Sequence, residues 1–180
     1  VFAFETGKTD VKVDPFMGTH GEGFNHEGVE ITWNTSKWDY KNPADLAYWP
    51  TMGLDFYAVA PMDEHEAWAI HSNSQQVQYT IIDEFSANHE YKNVDIMYAT
   101  AFNQTKESNS GKVKLQFKHA LSQVVFRART EKEGMEVMVG KMKLHNVVIG
   151  SALFSFPKNG ETVSKKNWGI NKLQVGGGAI

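Results

Sequence analysis

Residues 112–129 read KVKLQFKHALSQVVFRAR, and the alternation within them decides the fold class. Val113, Leu115 and Phe117 alternate with Lys112, Lys114, Gln116 and Lys118. A period of two puts one apolar face and one basic, solvated face on a β-strand. Leu121 keeps the phase, but Val124, Phe126 and Ala128 then share a face opposite Val125, Arg127 and Arg129. Parity changes along a strand only through an extra residue or a bend. The segment from His119 to Gln123 is therefore expected to be a bulge, a corner between sheets or a short helical turn. Burial of such side chains is worth at most ~1.5–3 kcal/mol each, which makes this a core-building stretch. His119, at the flip, is expected to be a half-buried structural histidine donating to a backbone carbonyl. The basic face is expected to meet solvent or an interface.

Working outward, the same period recurs on both sides. Val1 to Glu5 can form a short strand. Thr6 to Glu27 reads as loop, with a candidate strand at Val11-Lys12-Val13. Val29, Ile31 and Trp33 alternate with polar residues, and Asn34 to Asn42 is polar apart from Trp38 and Tyr40. Pro43 to Ala47 suits one helical turn. In Leu54 to Ala60, residues Leu54, Phe56, Ala58 and Ala60 share a face, and Pro50 and Pro61 bracket the run where a missing donor does least harm. Val77 to Ile81 and Val94 to Thr100 are further strands, and Asn103 to Gly111 is a polar loop. Downstream lie Val137, Val139, Met142, Leu144 and Val148, then Leu153, Phe154 and Phe156, and a short strand at Leu173 to Val175. Gly176-Gly177-Gly178 reads as a flexible end. About seven to ten short strands with almost no helical period predict an all-β, antiparallel β-sandwich. The expected division is 1–28 for an N-terminal strand and loop, 29–175 for the sandwich, and 176–180 for the Gly-rich end.

Composition narrows the function classes. The 180 residues suit one large domain. Lys and Arg number 18 against 21 Asp and Glu, a net charge of −3, so no electrostatic argument favours nucleic acid or an anionic membrane. The absence of cysteine removes disulfides, thiol catalysis and cysteine-based zinc sites. No apolar run approaches the ~18 residues of a membrane-spanning helix. The sequence opens on Val-Phe-Ala-Phe without Met or a charged leader, as expected of a processed or engineered start.

Constellations with chemical potential are few. His20, Glu22 and His26 could approach a metal, but zinc needs three or four ligands in fixed geometry and this spacing is that of a polar loop. Asp63-Glu64-His65-Glu66 carries groups for acid–base work, yet a charged run after a strand is ordinary loop chemistry. No Gly-x-Ser-x-Gly occurs. No catalytic, metal or cofactor residues are therefore expected. Trp38, Tyr40 and Trp49 lie within a dozen residues of one another and are the candidate glycan contacts, since indole and phenol rings stack on sugars. The competing and favoured reading is that they cap one end of the core.

Four segments taken together carry a family resemblance. They are Tyr48-Trp49-Pro50 with Leu54 to Pro61, Asp95-Ile96-Met97-Tyr98-Ala99, Val113 to Val124, and Leu144-His145-Asn146-Val147 through Phe154-Ser155-Phe156. In this order and spacing, from Trp33 to Phe156, the chain resembles the N-terminal domain of the fimbrillin family, the Mfa-like and FimA-like pilus subunits of Bacteroidales. The resemblance implies a transthyretin-like sandwich, export to the cell surface and a non-enzymatic role in a fimbrium, often as a lipoprotein, with no cofactor. It implies assembly by strand exchange, in which a neighbour's strand replaces an N-terminal one. Val1, Phe2, Ala3 and Phe4 are the residues expected in that role. Two departures stand out: no lipobox cysteine is present, and the chain ends near where a second sandwich would begin. The partners expected are other pilus subunits or that second domain, and surface glycans or proteins. The alternative is a carbohydrate-binding β-sandwich presenting an aromatic platform.

Overall fold

A computed structural model describes residues 1–8, 15–20, 25–61, 68–73, 76–81, 95–149, 152–170 and 174–179. Among them are fourteen strands, most of them short: β1 (Phe2–Glu5), β2 (Thr19–His20), β3 (Asn25–Glu27), β4 (Ile31–Trp33), β5 (Trp38–Tyr40), β6 (Leu54–Ala60), β7 (Trp68–Asn73), β8 (Gln76–Ile81), β9 (Met97–Gln104), β10 (Lys118–His119), β11 (Lys143–Ile149), β12 (Ala152–Ser155), β13 (Trp168–Ile170) and β14 (Gln174–Ala179). Every pairing is antiparallel. The strands form a four-stranded sheet ordered β1-β6-β9-β10, a six-stranded sheet ordered β13-β12-β8-β7-β3-β2, and the pairs β4-β5 and β11-β14. The all-β, antiparallel class expected from the alternation is the class observed.

β6 is the axis of the packing. Its residues from Leu54 to Ala58 are buried without a break, which is the signature of a strand covered on both faces. One face sends Tyr57, with Val59 beside it, into a cluster built from Phe2, Phe4, Ile96, Tyr98, Ala120, Phe154 and Phe156. The rings meet edge to face, Tyr57 lying 5.3 Å from Phe156 and 5.7 Å from Phe102, and Phe154 tilts against Trp168 at 4.8 Å. Phe154 lies on β12 and Trp168 opens β13, so this aromatic core joins the two larger sheets as a sandwich. The opposite face sends Leu54 and Phe56 against Ala3, Met17 and Val29, flanked by Ile31, Tyr40, Trp49, Val113 and Leu115.

The stretch at 112–129 divides at Ala120. Val113 and Leu115 are half-buried between exposed Lys112, Lys114 and Gln116, as the alternation predicts. The phase changes earlier than expected, because Phe117 is exposed and the next buried residue is Ala120. Ala120 N donates to Ile96 O at 2.8 Å, which fixes the bend. Beyond it the core expectation fails: Leu121, Val124, Phe126 and Ala128 are exposed, as are Val137, Val139 and Met142. No strand pairs with residues 121–142 among the described residues. Alternation records a strand's need for cover, not the chain that provides it.

Other differences are local. Trp38–Tyr40 is a strand rather than an anchored loop, pairing with β4 as Trp33↔Trp38 and Ile31↔Tyr40. Gly176, Gly177 and Gly178 lie in β14, which pairs with β11. Glycine without a side chain gives no periodic signal, which is why composition read it as linker. Asn103 falls inside β9, not in a loop. A 3-10 turn at Pro43–Asp45 occupies the expected helical turn, with Asn42 Oδ1 accepting from Ala44 N at 3.1 Å. Val11-Lys12-Val13, Glu22 and Asp63 to Glu66 lie outside the described residues.

Candidate functional site

β1 occupies an edge of the four-stranded sheet, in register with β6 from Phe2↔Tyr57 to Glu5↔Leu54. Its residues Phe2, Ala3 and Phe4 alternate between the two cores. Phe2 and Phe4, 4% and 2% exposed, enter the aromatic core, while Ala3, with no exposed surface, lies against Met17 and Phe56 on the other side. Val-Phe-Ala-Phe folds this way because its two rings fall on the side of the aromatic core and Ala3 on the side of Met17 and Phe56. The outer edge of β1 is sparsely paired among the described residues. Ala3 and Met17 exchange both backbone hydrogen bonds, at 3.0 and 3.2 Å, and Val1 and Val29 do so at 2.8 Å each. Gly28 closes over the Phe2 ring: a Cβ there would stand 2.7 Å from Phe2 Cε2.

A polar clasp follows β1. Asp55 is 7% exposed, and its Oδ1 accepts from Thr6 Oγ1 at 2.9 Å and from Asn103 N at 2.7 Å. Asn103 sits at φ 49°, where the β6–β9 register shifts between Leu54 and Phe56. The carboxylate thus satisfies a donor that the irregular ladder leaves free. Burial, and secondarily the Asp55 charge, push the Tyr57 phenol well above its ordinary range. The sequence signal for the clasp is a single acid inside the apolar run LDFYAVA. Periodicity alone does not flag it.

Of the candidate glycan contacts, Tyr40 and Trp49 pack against the same core, and Trp38 lies apart from them. Trp49 Nε1 donates to Gly111 O at 3.1 Å, and its ring packs edge-on against Phe56 at 5.9 Å. Tyr40 packs partly buried against the same core. Trp38 is 68% exposed and meets Trp33, not Tyr40 or Trp49, at 5.7 Å and an interplanar angle of 70°. That edge-to-face pair, with the Lys41–Glu30 ion pair at 2.8 Å, fastens the β4–β5 hairpin.

His119 differs from its expectation. Its imidazole is exposed, and Nδ1 lies 2.6 Å from Asp95 Oδ2 instead of donating to a carbonyl. The bend puts residues 118 and 119 on the sheet edge, away from both cores. His20 and His26 are register partners of β2 and β3. Among the described residues, no three His, Cys, Asp or Glu side chains are placed to hold a metal ion, and no helix is long and apolar enough to cross a membrane.

The distinctive arrangement is therefore a strand seat rather than a reaction centre. No curated protein and no solved structure matches the chain. A family model described as Fimbrillin-like matches residues 1–174. A match over nearly the whole chain, on an all-β antiparallel framework that carries the four resembling segments, shows that this chain belongs to the Fimbrillin-like family, whose members are structural and non-catalytic.

Proposed function

We propose that this chain is a structural subunit of a cell-surface pilus, a transthyretin-like sandwich that assembles by exchange of β1 for a strand of a neighbouring subunit. Family membership supports the structural role, and pilus subunits as partners. The observation that carries the exchange reading is the seat of β1. Residues Val1, Phe2, Ala3 and Phe4 lie along the edge of the sheet, fill both cores at once and, among the described residues, are bonded on their outer edge by Met17 and Val29. Removing such a strand opens an apolar groove lined by Tyr57 and Phe56 and frees a row of β6 donors and acceptors. Any strand entering it gains backbone hydrogen bonds for strength and alternating pockets for register. A donor is expected to place large, small and large apolar residues where Phe2, Ala3 and Phe4 now sit.

The test is a protease site introduced in the turn after β1, at Thr6-Gly7-Lys8. Cleavage and release of β1 are expected to give oligomers whose size grows with concentration, and excess synthetic VFAFE peptide is expected to suppress them. Cleaved protein that stays monomeric, or oligomers indifferent to the peptide, would overturn strand exchange.

A further inference from the structure

Residues 121–142 carry the pattern of core strands and yet lie in the open. Two limbs, Leu121 to Arg129 and Met135 to Met142, are joined by a turn in which Met135 N donates to Lys132 O and Gly134 adopts φ 78°. Between Leu121 and Met142, nine large apolar side chains are 40–89% exposed. At roughly 100 Å² each, they leave on the order of 900 Å² of apolar side chain uncovered along the arm, about what one partner contributes to a standard protein interface. The limbs also make no ladder with each other or with any strand among the described residues, so apart from the Met135 amide in the turn their backbone donors and acceptors are unpaired there.

We propose that this arm is the interface between two copies of the chain, arm against arm about a two-fold axis. The charges identify the occupant. The first limb bears Arg127 and Arg129 and no acid, whereas the turn and the start of the second limb bear Glu131, Glu133 and Glu136 against the single Lys132. A two-fold axis sets the basic limb of each copy beside the acidic portion of the other, satisfying both contacts together. The area, the free backbone and the charge pattern are all met by the same segment of a second copy. The arm shares no residue with the β1 seat, so the interface stands or falls independently of strand exchange.

The test uses the intact chain. Sedimentation velocity across the micromolar range is expected to show a monomer–dimer equilibrium, with arm amides protected from hydrogen exchange only in the dimer. Val125→Asp with Met138→Asp replaces side chains exposed in the subunit, so the fold is retained by circular dichroism while the dimer is lost. R127E and E136R are each expected to weaken dimerisation about tenfold, and an equimolar mixture of the two is expected to recover it as heterodimer, because both cross-contacts are again of opposite sign. A chain monomeric throughout, arm amides protected in the monomer, or a mixture no stronger than either variant alone would each overturn the proposal.

Discussion

Thr6 and Asp55, 49 residues apart, are joined by a hydrogen bond of 2.9 Å from the threonine hydroxyl to Oδ1 of the carboxylate. The same oxygen accepts from Asn103 N at 2.7 Å. The end of β1, the start of β6 and the irregular end of β9 therefore share one buried acceptor. Asp55→Ala leaves the Asn103 amide unsatisfied and is expected to destabilise the fold by about 2–3 kcal/mol in urea titration. Asp55→Asn keeps an acceptor in place and is expected to cost less than half of that. Thr6→Val removes one donor and is expected to cost about 1 kcal/mol. Equal losses for the alanine and asparagine variants would show that the acceptor is not what matters.

How much of this was legible beforehand depended on which physical signal each residue emits. Leu54, Phe56 and Ala58 announce a shared face by their spacing. Val113 and Leu115 do the same, and both sets lie where the period puts them. Phe2 and Phe4 were readable as a strand, but not as a strand feeding two cores, because Ala3 gives no hint that its side is covered too. Asp55 and Thr6 were silent, since a hydrogen bond across 49 residues leaves no local pattern. Trp38 and Trp49 are chemically identical yet end in opposite environments, one exposed and one bonded to Gly111 O. Only the hairpin register and the turn before Gly111 separate them, and neither is written in the residue type. Val124, Phe126 and Val139 are readable as apolar strand positions, while their spacing does not say what covers them.

The seat of β1 is tight on both sides, and its tightness can be measured. Phe4→Ala empties a fully enclosed position in the aromatic core and is expected to cost about 3–4 kcal/mol, with further loss if the cavity does not collapse. Gly28→Ala adds one methyl group that meets the Phe2 ring at 2.7–2.8 Å. Its backbone conformation is open to any residue, so the whole cost comes from that contact. It is expected to loosen β1, seen as faster hydrogen exchange at the β1 amides with little change at β12. Unchanged exchange at β1 in Gly28→Ala would mean that the ring relaxes without moving the strand.

The exposed pair of His119 and Asp95 offers the contrast to the clasp. Both side chains are more than half exposed, at 67% and 55%. Water competes for each, and holding them together costs rotamer freedom. His119→Ala and Asp95→Ala are each expected to change stability by less than about 1 kcal/mol. The double variant is expected to equal the sum of the singles within about 0.5 kcal/mol. A coupling above about 1 kcal/mol would show that the edge at β10 is ordered by this ion pair.

Alkaline pH probes the aromatic core through Tyr57. Its phenol is pushed above the ordinary value of 10.0, first by burial and then by the Asp55 charge. Below pH 10 the group carries its proton in the folded and unfolded states alike, so it contributes no slope. Above pH 10 the unfolded chain releases the proton while the folded chain retains it. The unfolded state then binds fewer protons, and stability falls as pH rises, at a limit of ~1.4 kcal/mol per pH unit for one group. Tyr57→Phe is expected to be less steep over the same range, whereas Asp55→Asn is expected to keep the parent's steepness, because burial, the first cause of the shift, stays and still holds the proton on the folded chain. The measurement is urea midpoint against pH from 9 to 11. An alkaline limb of equal steepness in the parent and in Tyr57→Phe would place the titrating group elsewhere.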